Sequence, residues 1–292
     1  MQGENMKKAF TVIEVVFVVV MIGILAGVAV WYMPRTQLKQ ATESIINNLK
    51  YTKTLAQLDD RFFGVKDIDY FNTLSIADKD VAAREQIKLY KCGKWQFQFH
   101  QASGNNVSTN TYTIFADNAG SATKNFDGKP MDGDVIARDP MTKACISGYN
   151  DNNLKECTDN FSNEARFGDT YGVELDSITS NDCTGYRSNT TFSIFFDSEG
   201  MPYCKVGQAT CNYDSSNANS VKNEASNATL PKRLTSPITI KLKRGGESAH
   251  ICITKNGLID AGNPKDKNGN PLKDGSGRIR GIPLTNGICD NI

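Results

Sequence analysis

The sequence predicts an α+β chain in which a long N-terminal helix packs on an antiparallel β-sheet whose loops are stapled by disulfides. Three observations carry that prediction. A continuous apolar run from Phe10 to Met33 leads into helically spaced apolar residues, several alternating segments follow in the polar remainder, and all eight cysteines lie beyond the run.

The run follows a short basic leader and holds one charge, Glu14. At about 1.5 Å per residue it extends about 36 Å, against roughly 30 Å of bilayer hydrocarbon, which makes it a membrane-spanning candidate. A secretory signal has a shorter apolar core with its small-residue cleavage site after the core. Here Ala9 precedes the run and follows Lys7 and Lys8, so cleavage at Ala9 would remove the leader and keep the helix. The expected organisation is a leader over 1–9, a transmembrane helix over 10–33, an amphipathic continuation over 34–58 and an external globular domain over 59–292. Translation from Met6 instead of Met1 would shorten the leader to "MKKA".

In the continuation, Leu38, Ala41, Ile45, Leu49 and Leu55 recur at helical spacing with polar residues between them. Pro34 is tolerated at a kink or a first turn, so the two stretches are expected to form one long, bent helix.

Strand signals begin after a segment, 59–91, that carries the helix-compatible "SIADKDVAAREQIKL". In "KWQFQFH", Trp95, Phe97 and Phe99 alternate with polar residues, and "TYTIFAD" follows across a Gly-Asn-Asn turn, which reads as a hairpin. Residues 117–169 are dense in Gly, Asn and Asp and read as an elaborated loop region. "TYGVELDSI" and "TFSIFFDSEGMPY" read as strands, and 212–229 as an exposed loop. "SPITIKLKRGGESAHICITKNGLID" holds two alternating runs around Gly245-Gly246 and a second turn at Asn256-Gly257, a strong hairpin signal. The tail from Ala261 is rich in Gly, Asn, Pro and Lys and ends near Cys289.

The formal net charge is +1, so no global field points to nucleic acid or to an acidic partner. The cysteines are Cys92, Cys145, Cys157, Cys183, Cys204, Cys211, Cys252 and Cys289, an even number without a C-x-x-C pair. The two histidines, His100 and His250, stand far apart, so zinc spacing is absent and disulfides in an oxidising compartment are expected.

No catalytic motif is present, and a non-enzymatic protein without cofactor or metal is expected. His100 closes an aromatic strand and His250 sits in the last hairpin, where sheet packing is the simpler role. Asp132 and Asp134 read as loop acids. Asp266, Asn268 and Asn270 lie near glycines as in oxygen-ligand calcium loops, but Lys265, Lys267 and Lys273 add competing charge, which favours turn chemistry.

The stretch "KKAFTVIEVVFVVVMIGILAGVAV" closely resembles the processing and assembly segment of type IV pilins and type II secretion pseudopilins. That family has Gly where this chain has Ala9. The resemblance implies a prepilin peptidase cutting between Ala9 and Phe10 and methylating the Phe10 amine. It implies that Glu14 sets filament register against the Phe10 amine of a neighbouring subunit. It further implies a pilin-like fold, partnership with other pilin or pseudopilin subunits and an inner-membrane assembly platform, and membrane lipid around the helix before assembly. The expected location is the inner membrane, single pass, with the C-terminal domain in the periplasm or on an extracellular filament.

The order "FFDSEGMPY", "ITIKLKRGG", "HICITKNGLI" resembles the C-terminal sheet of H-type minor pseudopilins, which favours a minor subunit over a major pilin of large type. Proximity and the resemblance to pilin C-terminal loops favour Cys145 with Cys157 and Cys252 with Cys289. Lys232, Arg233, Lys241, Lys243 and Arg244 form a basic cluster without an intervening acid, and Arg278 and Arg280 follow in "GRIR". Minor pilins used in DNA uptake have similar basic C-terminal loops, so DNA is a second candidate partner, weighed against a solvated strand face.

Overall fold

A computed structural model describes residues 12–59, 93–100, 110–118, 128–131, 133–148, 154, 156–157, 160–186, 190–207, 231–264, 270, 278 and 281–290; for 26–36 it describes the helical backbone alone. The expected second helix within 59–91 and the loop at 212–229 lie almost wholly outside these residues, apart from Asp59.

Helix α1 spans Val12–Leu58 and passes through Pro34. Its C-terminal half is amphipathic, and Leu38, Ala41, Ile45, Ile46, Leu49 and Ala56 are buried. Buried hydroxyls on the same face are satisfied within the helix: Thr42 Oγ1 donates to the Leu38 carbonyl and Thr52 Oγ1 to the Asn48 carbonyl, each at 2.7 Å.

The expected design of one antiparallel sheet is corrected. The described chain beyond α1 is mostly β, with two six-stranded sheets, a 3-10 turn at Asn163–Ala165 and a short helix α2 at Phe167–Tyr171. The first sheet has the order β3-β2-β1-β5-β6-β7, formed by Trp95–His100 (β1), Thr111–Ala116 (β2), Val135–Ile136 (β3), Phe192–Phe196 (β5), Pro202–Val206 (β6) and Lys232–Arg233 (β7). The second has the order β12-β11-β10-β9-β8-β4, formed by Glu174–Thr179 (β4), Ile238–Arg244 (β8), Glu247–Ile253 (β9), Ile259–Pro264 (β10), Ile282–Thr285 (β11) and Ile288–Cys289 (β12). It is not purely antiparallel, because β10 and β11 run parallel. Alternation in a sequence marks a strand but does not say which sheet receives it.

The C-terminal half of α1 touches β1 and β5 of one sheet and β8, β9 and β10 of the other, and one apolar core joins all three elements. Phe97 stacks on Tyr112 at 4.4 Å between ring centroids, and Tyr112 stacks on Phe167 at 6.2 Å. The Asn48 side-chain amide of α1 donates to the Tyr112 hydroxyl at 2.9 Å, which satisfies a fully buried phenol.

Both faces of β1 and β2 are buried, a departure from the half-exposed hairpin that their alternation implies. On the second face, Phe115 packs with Ile136, Leu154 and the Cys145–Cys157 bridge. Gln98 on this face is bonded in place. Gln98 Nε2 donates to the Gly128 carbonyl and to Ser193 Oγ, each at 2.9 Å. Asp134, read as a loop acid, accepts from the Asn118 and Met131 amides.

One local reading also changes. Tyr171 ends α2, and Gly172 at φ +62° closes that helix, so β4 starts at Glu174. In the tail, β10 includes Ala261, and β11 and β12 extend the second sheet. The β8–β9 connection is the two-residue Gly245-Gly246 turn, with Arg244 paired to Glu247 and Gly245 at φ +58°.

Candidate assembly surface

The N-terminal half of α1 differs from the half that packs on the sheets. Between Val12 and Leu25, twelve large apolar side chains are exposed, from 45% at Met21 to 82% at Val12. They point in every direction around the helix, because the run is apolar without interruption save Glu14 and Gly23. A helix that is apolar all round requires burial on all sides. Glu14 lies in its first turn. Ala9 and Phe10, the expected processing and methylation positions, lie outside the described residues.

Among the described residues, no helix is long and apolar enough to cross a membrane. The expected transmembrane helix and the single-pass inner-membrane location are therefore corrected. The apolar side chains described on α1 cover 12–25.

Among the described residues there are three disulfides. Cys145 bonds Cys157 and Cys252 bonds Cys289, the two pairings favoured above, and Cys183 bonds Cys204. Cys92 and Cys211 lie outside the described residues.

No family model, curated protein or solved structure matches this chain.

The basic cluster is divided by the fold. Lys241 Nζ lies 2.8 Å from Asp176, and Lys243 lies 3.3 Å from Glu174 and 3.5 Å from Asp176. The hydrogen bond from Lys241 is the main reason that the Asp176 carboxyl is held below the usual range, and the bond to Glu174 raises the Lys243 amine. The Arg244 guanidinium lies beside Gly172. Lys232 and Arg233 are exposed on edge strand β7, Arg278 is exposed elsewhere, and Arg280 lies outside the described residues. The acids come from β4, more than sixty residues before their partners in β8, so local inspection of the sequence could not reveal the pairing.

The histidines sit in strands. His100 is buried on β1, where burial pushes its ring down to about 3, and its Nε2 is 3.3 Å from Thr113 Oγ1. His250 on β9 is half-buried, and burial together with Lys241 lowers its pKa despite Asp176. Among the described residues, no three His, Cys, Asp or Glu side chains cluster in a way that could hold a metal ion. Asp132, Asp266 and Asn268 lie outside the described residues, and Asn270 is exposed.

Sequence reading missed a groove of about 460 Å³ between α1 and the second sheet. It is lined by Leu38, Thr42 and Ile46 on one side and by Ala249, Ala261 and Gly262 on the other. Its lining is legible in retrospect, because Ala261 and Gly262 are small where β10 faces the helix.

Proposed function

We propose that this chain is a minor subunit of a type IV pilus or type II secretion pseudopilus, processed by a prepilin peptidase and assembled through α1. The observation that carries the reading is the set of twelve exposed apolar side chains between Val12 and Leu25. Together they offer on the order of 1,000 Å² of apolar surface, more than the roughly 300–600 Å² of the largest patch on an ordinary monomer. Such a surface requires a partner, and the helices of neighbouring subunits supply one of matching chemistry. The leader "KKAFTVIE" supports the same reading, with cleavage between Ala9 and Phe10. Glu14 then faces the methylated Phe10 amine of a neighbour in a charge-assisted contact that fixes register.

The test is intact-mass and N-terminal analysis after expression with and without a cognate prepilin peptidase. A peptidase-dependent product beginning at N-methylated Phe10 is expected. Retention of residues 1–9 would remove the reading, and high abundance in sheared filaments would overturn the assignment as a minor subunit.

A further inference from the structure

We propose that the cleft between the C-terminal end of α1 and edge strand β3 binds a neutral saccharide. The site uses no residue of the apolar half of α1, so it stands apart from the filament-subunit reading.

The cleft has a volume of about 750 Å³, within the range of small-molecule sites. Tyr51 and Leu55, one helical turn apart on α1, line one side and stay partly uncovered beside the core. Val135 of β3, which is 43% exposed, and the loop that follows β3 supply the other side. An aromatic ring with aliphatic carbons beside it suits the C–H face of a pyranose ring.

Bonds within the protein hold that loop in shape. Asp139 Oδ1 accepts from the Met141 and Thr142 amides at 3.0 and 2.6 Å and from the Thr142 hydroxyl at 2.8 Å. Lys143 has a left-handed backbone at φ +61°, which non-glycine residues seldom adopt, and strain of this kind collects at ligand sites. The Arg138 guanidinium donates to the Lys143 carbonyl at 3.2 Å and to the Glu156 carbonyl at 2.7 Å. The Cys145–Cys157 bridge anchors Glu156 there. The Tyr51 hydroxyl donates to the Arg138 carbonyl at 3.0 Å, which ties the helix side of the cleft to the loop side.

The charged groups are arranged for hydrogen bonding rather than for capture of an ion. All three bonds to Asp139 fall on Oδ1, which leaves Oδ2 as an acceptor. Exposed Glu156 adds a second carboxylate, and Arg138 spends two of an arginine's five N–H donors on the two carbonyls. Lys143 Nζ is held 2.8 Å from the Pro140 carbonyl. Arg138 and Lys143 stand against Asp134, Asp139 and Glu156 in the lining, so formal charge nearly cancels. A ligand must then give and take hydrogen bonds at neighbouring atoms and also show an apolar face. A sugar ring with vicinal hydroxyls does both. A free amine only donates, and inorganic phosphate has no apolar face.

The test titrates the full chain, in an amine-oxide detergent that carries no sugar, with maltohexaose, cellohexaose, xylohexaose and chitohexaose in turn. In a Trp31→Phe chain, Trp95, which lines the cleft, is the only tryptophan and reports occupancy. A saturable change in its emission with at least one of these sugars is expected. Glu156→Ala should weaken that binding at least threefold. Val135→Trp fills the cleft from an exposed edge position and should weaken it at least tenfold. Both variants should keep the parent's urea midpoint, and if one loses it the other decides. No binding of any of the sugars, or binding that both variants leave intact, would overturn the site. A response to spermidine or to inorganic phosphate alone would overturn the saccharide. Each of these outcomes leaves the filament reading standing, because processing by the peptidase tests that reading separately.

Discussion

Lys53 Nζ donates a 2.9 Å hydrogen bond to the carbonyl oxygen of Gly257, which ties α1 to the turn between β9 and β10. The same lysine stem lies against Gly200, in the turn between β5 and β6, and a Cβ at Gly257 would fall on the Gly200 carbonyl oxygen. One helix residue thus meets a turn from each sheet, and two glycines let the turns approach.

Substitution at this junction should loosen both sheets from α1. Gly257 has φ +76°, and Gly257→Ala should cost about 2 kcal/mol or more through backbone strain and the displaced Gly200 carbonyl. Lys53→Met should cost about 1 kcal/mol, the worth of one hydrogen bond. Urea unfolding of the two variants checks both values, and a Gly257→Ala midpoint equal to the parent's would refute the strain argument.

His100 predicts an acid limb in stability. Its folded pKa, about 3, lies below that of an unfolded histidine, so the unfolded chain binds the extra proton between these values. Stability from this group is complete above pH 6.5 or so and is lost as pH falls toward the folded value, at up to about 1.4 kcal/mol per pH unit. Thermal melts between pH 7 and pH 4 should show the loss, and His100→Gln should flatten it. An unchanged slope in the variant would assign the limb to other groups.

The three disulfides should rank by the chain length they close. Cys252–Cys289, with a separation of 37, should contribute about 4 kcal/mol. Cys183–Cys204 and Cys145–Cys157, at 21 and 12, should contribute a little over and a little under 3 kcal/mol respectively, about 3 kcal/mol each. Double Cys→Ala variants unfolded in denaturant without reductant test the order. A larger loss at Cys145–Cys157 would show that its packing against Phe115 and Leu154 outweighs loop closure.

The pairing of Lys241 and Lys243 with Asp176 and Glu174 predicts weak affinity for DNA. At about 0.15 M salt the full chain should not retard a short duplex, because both lysines would have to leave their carboxylates to contact phosphate. A salt-sensitive shift abolished by Lys232→Ala with Arg233→Ala would contradict this and place DNA at edge strand β7.

Several elements were legible because they depend on near neighbours in the chain. The β1–β2 pairing follows from alternation, the β8–β9 turn from Gly245-Gly246, and the apolar periodicity from Leu38 to Leu49 from helix geometry. Features made by distant partners were not. The bond that holds Gln98 needs the Gly128 carbonyl, the cover over Phe115 needs Leu154 and Cys157, and the neutralisation of Lys241 needs Asp176 from another strand.

By itself the sequence determined that an uninterrupted apolar segment precedes a polar, cysteine-rich chain, since composition and spacing along the backbone suffice for that. Tertiary structure decided that the strands divide into two sheets around α1, that the basic cluster is partly neutralised, and that a groove opens beside Leu38 and Ile46. The physical reason is that pairing, charge compensation and cavity shape depend on which distant side chains come within a few ångströms, and no local pattern records that.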